Sequence, residues 1–290
     1  MVVKTKPVGL YELIGGPKNG DLTLEDIEDF LTRNTLDPES RERLLAWNEE
    51  FKFWEKYAKI YVYMERGKHY RDLIKTMKSF IEPRPGEIWL DAGCGPAKMS
   101  ELIWEKSEGK VKKIYGVDIV LSAAREKLAQ LGNSIPLELK YVNLGERLPF
   151  SDNSFDGIIS NNVLSYVIEF EGSRGKEGML CLFKELNRVL RPGGQLIWST
   201  PEPKMHSEIA FISSIPDIIR ERRNLPSLSI AIQLLRLGLE VKKKSKAGIY
   251  TFLTPKEWNE VLEEGFVSLT WKFVFTHQLW VNKSIKPDIV

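Results

Sequence analysis

The fold is decided by residues 89–98, whose sequence is Trp89-Leu90-Asp91-Ala92-Gly93-Cys94-Gly95-Pro96-Ala97-Lys98. This stretch joins an apolar strand to a glycine turn, and the next apolar strand ends at Asp118. A strand, a glycine turn and a helix, followed by an acidic residue at the end of the next strand, are typical of a site for a nucleotide-derived cofactor. A purely structural glycine turn in an ordinary α/β protein is the alternative that the turn alone leaves open.

The spacing within the turn argues against a dinucleotide. The dinucleotide motif G-x-G-x-x-G requires a small residue at its sixth position, and Lys98 stands there. Pro96 also removes one of the backbone N–H groups that would hold a phosphate. The turn therefore suits a ligand without phosphates. S-adenosylmethionine (SAM) fits this requirement, and Asp118 is placed to accept hydrogen bonds from both of its ribose hydroxyls.

Four stretches of the chain carry a resemblance to a known family. In order and spacing they resemble the class I SAM-dependent methyltransferases, over residues 75–202 and again over 249–283, and in particular the subfamily of the ubiquinone and menaquinone C-methyltransferases. The resemblance implies a methyltransferase enzyme with SAM as cofactor and S-adenosylhomocysteine as product. The four stretches are Trp89–Ala97, Ile114–Asp118, Leu148–Asp156 and Arg188–Gly194.

Apolar strands alternate with helical segments from about residue 83 onward, which indicates βαβ units and a parallel sheet. With the resemblance, this predicts an α/β fold: a seven-stranded, mostly parallel, Rossmann-like methyltransferase sheet with an N-terminal helical cap and a basic insertion after the fifth strand. The predicted strands are 87–91, 114–118, 137–142, 155–160, 194–199, 267–275 and 277–282. The predicted parts are a cap (1–80), a SAM-binding core (81–200), an insertion or lid (201–250), and a C-terminal helix with the last two strands (251–290).

The cofactor residues are expected at the carboxyl ends of the strands, where ligands of such sheets bind. Asp91, Asp118, Asn143 and Ser160–Asn162 should then face one crevice. Relatives of this type place Asp-Ala before the Leu-Pro-Phe run to contact adenine, whereas Leu144-Gly145 stands there in this chain, so Asn143 is assigned that role. The predicted cofactor-binding residues are Asp91, Gly93, Cys94, Gly95, Asp118, Ile119, Asn143, Leu144 and Asn161.

The predicted catalytic residues are Asn161, Asn162 and Tyr166, just past the fourth strand. Methyltransferases of this class that act on amino groups often carry the motif N-P-P-Y at this place. Asn161 matches the first residue of that motif, and the three residues after Asn161 do not match it. An Asn carbonyl at this place could accept hydrogen bonds from an exocyclic amine. The alternative is that Asn161 and Asn162 merely start the following helix.

Two segments outside the core bear on the acceptor. Residues 217–246 carry eight Lys and Arg against three Asp and Glu, a local net charge of +5, which is either a solvated face or a surface for an anionic acceptor. Aromatic residues recur at helical spacing in the cap, where they either pack the cap onto the sheet or place Tyr57 or Tyr61 over the cofactor or acceptor. This aromatic stripe consists of Trp47, Phe51, Trp54, Tyr57 and Tyr61.

Two acceptors are compatible with the sequence. The predicted acceptor is an exocyclic amine of a base in structured RNA, such as rRNA or tRNA, which the basic insertion and Asn161 favour, and a small molecule is the alternative. The subfamily resemblance and the aromatic cap favour a small or lipid-like molecule: a quinone, an amine or an acid. A protein that binds SAM without transferring its methyl group is the third class.

Composition places few further limits on function. The net charge of +2 and a pI near 8.3 confine any nucleic-acid surface to a local patch. Two cysteines, no apolar leader and no apolar run of membrane-spanning length predict a cytoplasmic protein without a membrane partner, and leave its oligomeric state open. The three histidines have no partners at ligand spacing, so no metal is expected, and His206 is a candidate general base.

Overall fold

A computed structural model of the chain describes residues 24–64, 67–132, 134–204, 228–274 and 277–288. The helices are α1 (Leu24–Arg33), α2 (Pro38–Met64), α3 (Lys68–Phe80), α4 (Lys98–Lys106), α5 (Ser122–Gln130), α6 (Gly175–Val189), α7 (Leu228–Lys246) and α8 (Pro255–Leu262), with a 3-10 turn at Leu164–Tyr166. The strands are β1 (Ile88–Ala92), β2 (Lys113–Asp118), β3 (Leu137–Tyr141), β4 (Phe155–Asn161), β5 (Leu190–Pro201), β6 (Val267–Val274) and β7 (Leu279–Ile285).

The seven strands form a single sheet in the order β3-β2-β1-β4-β5-β7-β6. Strands β1 to β5 pair in parallel, and β7 runs antiparallel between β5 and β6. The predicted seven-stranded, mostly parallel α/β sheet is confirmed. Strand β5 begins earlier than predicted because Leu190 pairs with Phe155 before a shift in register at Gly157. The carboxyl ends of β1, β2 and β4 lie side by side and position the site.

Local signals in the sequence account for two of the helix starts. Asp37 accepts a hydrogen bond from the backbone N–H of Ser40 over 2.9 Å at the start of α2. Thr254 and Glu257 form a capping box at the start of α8. Ser, Thr and Asp are favoured at helix starts because their side-chain oxygens accept the free backbone N–H groups there. Thr23, which precedes α1, lies outside the described residues.

The three N-terminal helices pack in different places. Side chains of α1 and α2, among them Ile27, Leu44 and Trp47, pack against Val120 just after β2. Helix α3 instead packs on the sheet over β5, β6 and β7, although it falls within the segment predicted as the cap. Helices α1 and α2 therefore cover the crevice. The domain boundaries themselves stay predictions.

None of the described helices is long and apolar enough to cross a bilayer. The cytoplasmic location stays a prediction.

Candidate active site

A cavity of about 990 Å³ lies at the carboxyl ends of the parallel strands, beneath α2. Its volume is at the upper end of the range for small-molecule sites and leaves room for a second molecule beside a cofactor. The described residues that line it come from α2, the glycine turn and the segments that follow β2, β3 and β4. They include Leu44, Trp47, Glu50, Trp54, Tyr57, Gly93–Pro96, Asp118–Val120, Val142–Glu146, Asn161–Val163 and Tyr166–Glu169.

The glycine turn is held between β2 and the segment after β4. The backbone N–H groups of Gly93 and Cys94 both donate to the carbonyl oxygen of Val117, over 2.8 and 2.9 Å. Gly93 has φ +77°, and a Cβ there would lie 2.4 Å from the side chain of Val163. Only glycine satisfies both the backbone angle and the close approach.

Asp118 presents its carboxylate to the cavity from the end of β2. Its two oxygens accept hydrogen bonds from the N–H groups of Gly95, over 2.8 Å, and Val120, over 3.0 Å. Burial raises the pKa of Asp118, and these hydrogen bonds act in the opposite direction. Each carboxylate oxygen keeps a lone pair that can accept a ribose hydroxyl.

The same turn is poorly suited to a phosphate. The ammonium group of Lys98 is paired with Glu101 over 2.6 Å, and Pro96 contributes no N–H. The carboxylate of Asp118 and the phosphate-free turn therefore fit SAM. Gly93, Cys94, Gly95, Asp118, Ile119, Asn143, Leu144 and Asn161, all predicted to bind it, line the cavity.

Asp91 is a correction to the predicted crevice. Its carboxylate is fully buried and lies outside the cavity lining, where Oδ2 accepts hydrogen bonds from the N–H and the hydroxyl of Ser100, over 2.9 and 2.7 Å. Ala97, at the N-cap of α4, has no side-chain acceptor, so Asp91 satisfies a free N–H of that helix instead. Ser160 is also turned inward, since its hydroxyl donates to the carbonyl oxygen of Ala92.

The buried carboxyl group of Asp91 nevertheless has one oxygen without a partner among the described residues and a raised pKa. Its Oδ1 has no hydrogen-bond partner in the described structure. Burial raises the pKa of Asp91 to about 7. The two hydrogen bonds from Ser100 lower this pKa, and the nearby charge of Asp118 raises it by a smaller amount. Burial likewise raises the pKa of the Cys94 thiol, so this cysteine is not a thiolate nucleophile.

Asn143 lines the cavity, but its side chain is used to shape the loop. Its Oδ1 accepts from the N–H of Gly145 over 2.9 Å, and its Nδ2 donates to Glu146 over 3.1 Å. The adenine contact assigned to Asn143 stays a prediction. With its side chain engaged in the loop, backbone groups of this segment are better placed to make that contact.

Asn161 and Asn162 are held by Ser199 on the neighbouring strand β5. The Ser199 hydroxyl donates to Asn161 Oδ1 over 2.8 Å and lies 3.1 Å from Asn162 Oδ1. It also accepts the backbone N–H of Asn162, whose φ is +55°. The 3-10 turn that follows has Val163 at its N-cap and no side-chain cap, so neither asparagine starts a helix.

This arrangement decides which polar atoms face the cavity. The Asn161 oxygen is occupied by Ser199, and its amide nitrogen lies 3.4 Å from the hydroxyl of Tyr70. In the described structure no hydrogen bond is made by the Asn162 amide nitrogen or by the Tyr166 hydroxyl. Burial, and secondarily the neighbouring Tyr57, raises the pKa of Tyr166, so its phenol stays protonated and can donate a hydrogen bond. The structure brings Asn161, Asn162 and Tyr166 together on the cavity wall.

Sequence reasoning missed the contact between α2 and α7 that closes the far end of the cavity. Glu50 accepts hydrogen bonds from Lys244 over 2.6 Å, from the Tyr250 hydroxyl over 2.8 Å and from the Trp54 indole over 3.2 Å. Glu50 is 7% exposed and lines the cavity. The position of Glu50 within the aromatic stripe was the sequence signal from which this contact could have been predicted.

The described part of the basic insertion does not present all its charge to solvent. Residues 205–227, with His206, Arg220, Arg222 and Arg223, lie outside the described structure. In α7 the ammonium group of Lys244 is turned inward to Glu50. Five acidic and three basic side chains line the described cavity, so its wall has a formal net charge of −2. They are Asp37, Glu50, Asp118, Glu146 and Glu169, with Arg43, Lys98 and Arg174.

No cluster of three or more His, Cys, Asp or Glu that could hold a metal ion occurs among the residues for which the structure is described.

Comparisons with known proteins find similarity to methyltransferases. Residues 90–198 match the family model described as a methyltransferase domain. The demethylmenaquinone methyltransferase of Bacillus subtilis is 34% identical over 145 residues, which are 49% of this chain and 56% of that protein. The biotin biosynthesis bifunctional protein BioHC of Teredinibacter turnerae is 30% identical over 130 residues, 43% of this chain and 21% of that protein. The matched region thus spans about half the length of the menaquinone relatives.

A solved structure supports the fold. The methyltransferase in complex with the Haloferax volcanii Trm112 methyltransferase activator aligns with a TM-score of 0.56 at 13% identity, over 82% of this chain and 98% of that one. The family model identifies residues 90–198 as a SAM-dependent methyltransferase domain, and the strand order and this structural match agree with the class I fold.

Proposed function

We propose that the chain transfers a methyl group from SAM to a small, largely apolar acceptor of the quinol type that is enclosed beneath α2 and α7. The observation that carries the proposal is the lining of the cavity. There, Trp47, Trp54 and Tyr57 of α2 are joined by Asn162 and Tyr166, whose amide and hydroxyl groups can donate hydrogen bonds.

SAM would be held by the residues at the ends of β1 and β2. Asp118 is placed to accept its ribose hydroxyls, and the turn at Gly93–Gly95 lets the backbone approach its amino-acid arm. When bound, SAM supplies a methyl group already activated by the sulfonium. The remaining task of the protein is to position the acceptor and exclude water.

The aromatic end of the cavity suits a flat, apolar ring. Trp54 meets Tyr57 and Tyr166 edge to face, with ring centroids 5.2 and 5.1 Å apart, and Tyr250 and Phe252 pack behind Tyr166. Such rings offer a large apolar contact with little loss of side-chain freedom. An aromatic acceptor would replace water here at low cost.

The two free donors suit an oxygen on that ring. Methylation of a quinol carbon is assisted by negative charge on the ring oxygen, and a hydrogen bond to that oxygen stabilises the charge. Tyr166 remains protonated near neutral pH because burial raises its pKa, so it donates and does not act as a base. The ring carbon gains the methyl group as the C–S bond breaks and S-adenosylhomocysteine leaves, and the proton of that carbon passes to solvent.

Three observations weigh against a base in RNA, which stays a prediction that no comparison supports. The lining of the described cavity is net negative, which opposes the approach of phosphates. The Asn161 oxygen, expected to accept an exocyclic amine, already accepts from Ser199. Lys244, one of the basic residues assigned to RNA, is paired with Glu50.

The proposal is tested with methyl-labelled SAM and the purified chain. The acceptors compared are chemically reduced demethylmenaquinone with a single isoprene unit, a simple catechol, and bulk rRNA and tRNA from cells that lack the enzyme. We expect label in the organic extract of the quinol reaction, lost in Asp118→Asn and retained in Asp152→Asn, an exposed aspartate remote from the cavity lining. Label in RNA would contradict the proposal, as would tight SAM binding with no transfer to any acceptor.

A further inference from the structure

The outer face of α7 carries a stripe of exposed apolar and basic residues. With 3.6 residues per turn, six of its residues fall within an arc of about 100° on the helix surface. We call these residues the outer stripe: Ile232, Leu235, Arg236, Leu239, Lys243 and Lys246. Ile232, Leu235 and Leu239 are 42%, 37% and 51% exposed. Within the described turns of α7 no carboxylate lies in this arc.

The opposite face of α7 is buried against the site. Leu237 and Val241 pack with Phe53 and Tyr250, beside the aromatic end of the cavity. Lys244 lies over the ring of Phe53, 4.3 Å from its centroid, and reaches Glu50 in the cavity wall. The helix therefore separates the aromatic end of the cavity from whatever lies outside the outer stripe.

A surface helix of a globular protein usually exposes a polar face, whereas the exposed face of α7 also carries large apolar residues. Four of the seven large hydrophobic residues that are exposed in the described structure fall between residues 232 and 249: three in the outer stripe, and Ile249 just after the helix. Such a cluster of exposed apolar side chains indicates a surface that binds another apolar surface.

The basic members of the outer stripe narrow the choice of partner. Arg236, Lys243 and Lys246 have no ion pair among the described residues, so the stripe has a charge of +3. A second copy docking through the same face would bring these charges together, which is unfavourable. A nucleic acid would pair with the charges but would gain nothing from Leu235 and Leu239.

We propose that the outer stripe of α7 docks on the surface of a lipid bilayer that contains anionic lipids. The apolar residues enter the boundary between headgroups and acyl chains while the Lys and Arg residues meet the lipid phosphates, as in interfacial amphipathic helices. Surface docking needs no spanning helix. The inference goes beyond the proposed function, and rests on it only for the idea that a lipid-like acceptor enters the cavity from the bilayer side of α7.

Co-sedimentation of the full chain with vesicles tests the docking without any turnover. The vesicles are either pure phosphatidylcholine or equal parts phosphatidylcholine and phosphatidylglycerol, at low and at high salt. We expect binding to the anionic vesicles at low salt, and weaker binding at high salt because the charges are screened. The double variant Leu235→Gln/Leu239→Gln should weaken binding about tenfold or more, and Lys243→Gln/Lys246→Gln about tenfold or more.

Matched controls come from exposed residues elsewhere. Val267→Gln removes an exposed apolar side chain from β6, and Lys256→Gln/Lys272→Gln removes two exposed charges from α8 and β6. Both should bind vesicles like the parent chain, and all variants should keep its SAM affinity. Failure of SAM binding in the parent chain would count against the proposed function and not against docking.

The docking proposal would be overturned by absence of binding to anionic vesicles. An equal loss of binding in the control variants, or unchanged binding in both stripe variants, would overturn it as well. A dimer that Leu235→Gln/Leu239→Gln dissolves, seen by light scattering, would assign the stripe to a second copy instead. Binding of tRNA that depends on Lys243 and Lys246 but not on Leu235 and Leu239 would likewise overturn it.

Discussion

The carboxylate of Asp118 accepts a hydrogen bond from the backbone N–H of Gly95 over 2.8 Å. This contact ties the glycine turn after β1 to the end of β2, two strands that pair in parallel along their whole length. The turn and the carboxylate are therefore positioned as one unit, and a ligand that contacts both meets a preorganised surface.

Asp118→Asn should weaken SAM binding by about tenfold or more without unfolding the domain. The amide keeps the shape of the carboxylate but loses the charge and one acceptor, and a hydrogen bond to a charged group contributes about 1.5–3 kcal/mol. Isothermal titration calorimetry measures the SAM dissociation constant. Asp152→Asn serves as the control, and an affinity equal to the parent's in Asp118→Asn would remove this residue from the site.

Gly93→Ala should destabilise the fold more than Gly86→Ala does. Both glycines have positive φ, +77° and +80°, but a Cβ at Gly93 meets Val163 at 2.4 Å, whereas nothing lies within 4 Å at Gly86. We expect about 1–2 kcal/mol for the backbone strain in Gly86→Ala, and about 1–3 kcal/mol more from overpacking in Gly93→Ala.

Val163→Ala, added to Gly93→Ala, should recover the overpacking part of that loss. Urea denaturation of the parent chain, the single variants and the double variant gives the free energies of unfolding. Equal losses in Gly86→Ala and Gly93→Ala would show that Val163 can move away at little cost.

Asp91 should make the SAM-free protein less stable as the pH rises from about 4 to 8. Its pKa is about 7 when folded and near 4 when unfolded, so the folded state holds the proton more tightly. The stabilisation is full below pH 4 and is lost as the pH rises through 7, by about 4 kcal/mol in total. The measurement is the difference in unfolding free energy between the parent and Asp91→Asn at several pH values. A difference that does not change with pH would mean that the pKa of Asp91 is the same in the folded and unfolded states.

Tyr166→Phe should lower kcat for the quinol by about a hundredfold and leave SAM affinity unchanged. The variant keeps the aromatic packing but removes the hydroxyl that stabilises charge on the acceptor oxygen, and loss of one such donor costs about 10²–10³ in rate. Tyr115→Phe, on β2 outside the cavity lining, is the control. A parallel loss of SAM affinity would point to a packing role instead.

Glu50→Gln should destabilise the protein by about 3 kcal/mol because it leaves Lys244 buried without a counter-charge. The two side chains are 10% and 15% exposed. Glu28→Gln breaks an exposed pair with Lys52 and should cost at most about 1 kcal/mol. Adding Lys244→Met to Glu50→Gln should restore part of the lost stability in thermal and urea unfolding. Equal costs for Glu50→Gln and Glu28→Gln would mean that the pair between α2 and α7 is open in solution.

Local sequence determined the sheet and the glycine turn. Alternation of apolar and helical segments is a local signal, and the positions of Gly93, Asp118 and Thr254 follow from backbone requirements within a few residues. The boundaries of β5 were not predictable because the pairing of Leu190 with Phe155 is a contact between distant residues.

By itself, the sequence determined the class of fold and the resemblance to SAM-dependent methyltransferases, because each is encoded in short runs with fixed spacing. Only the tertiary structure decided which way polar side chains at strand ends point. Asp91 turns inward and accepts a hydrogen bond from Ser100, and the side-chain oxygen of Asn161 accepts one from Ser199. It also placed Glu50 against Lys244 and left the outer stripe of α7 exposed. These outcomes depend on which surfaces meet after the chain has folded. Contacts of this kind join residues that are distant in the sequence, so local spacing does not predict them.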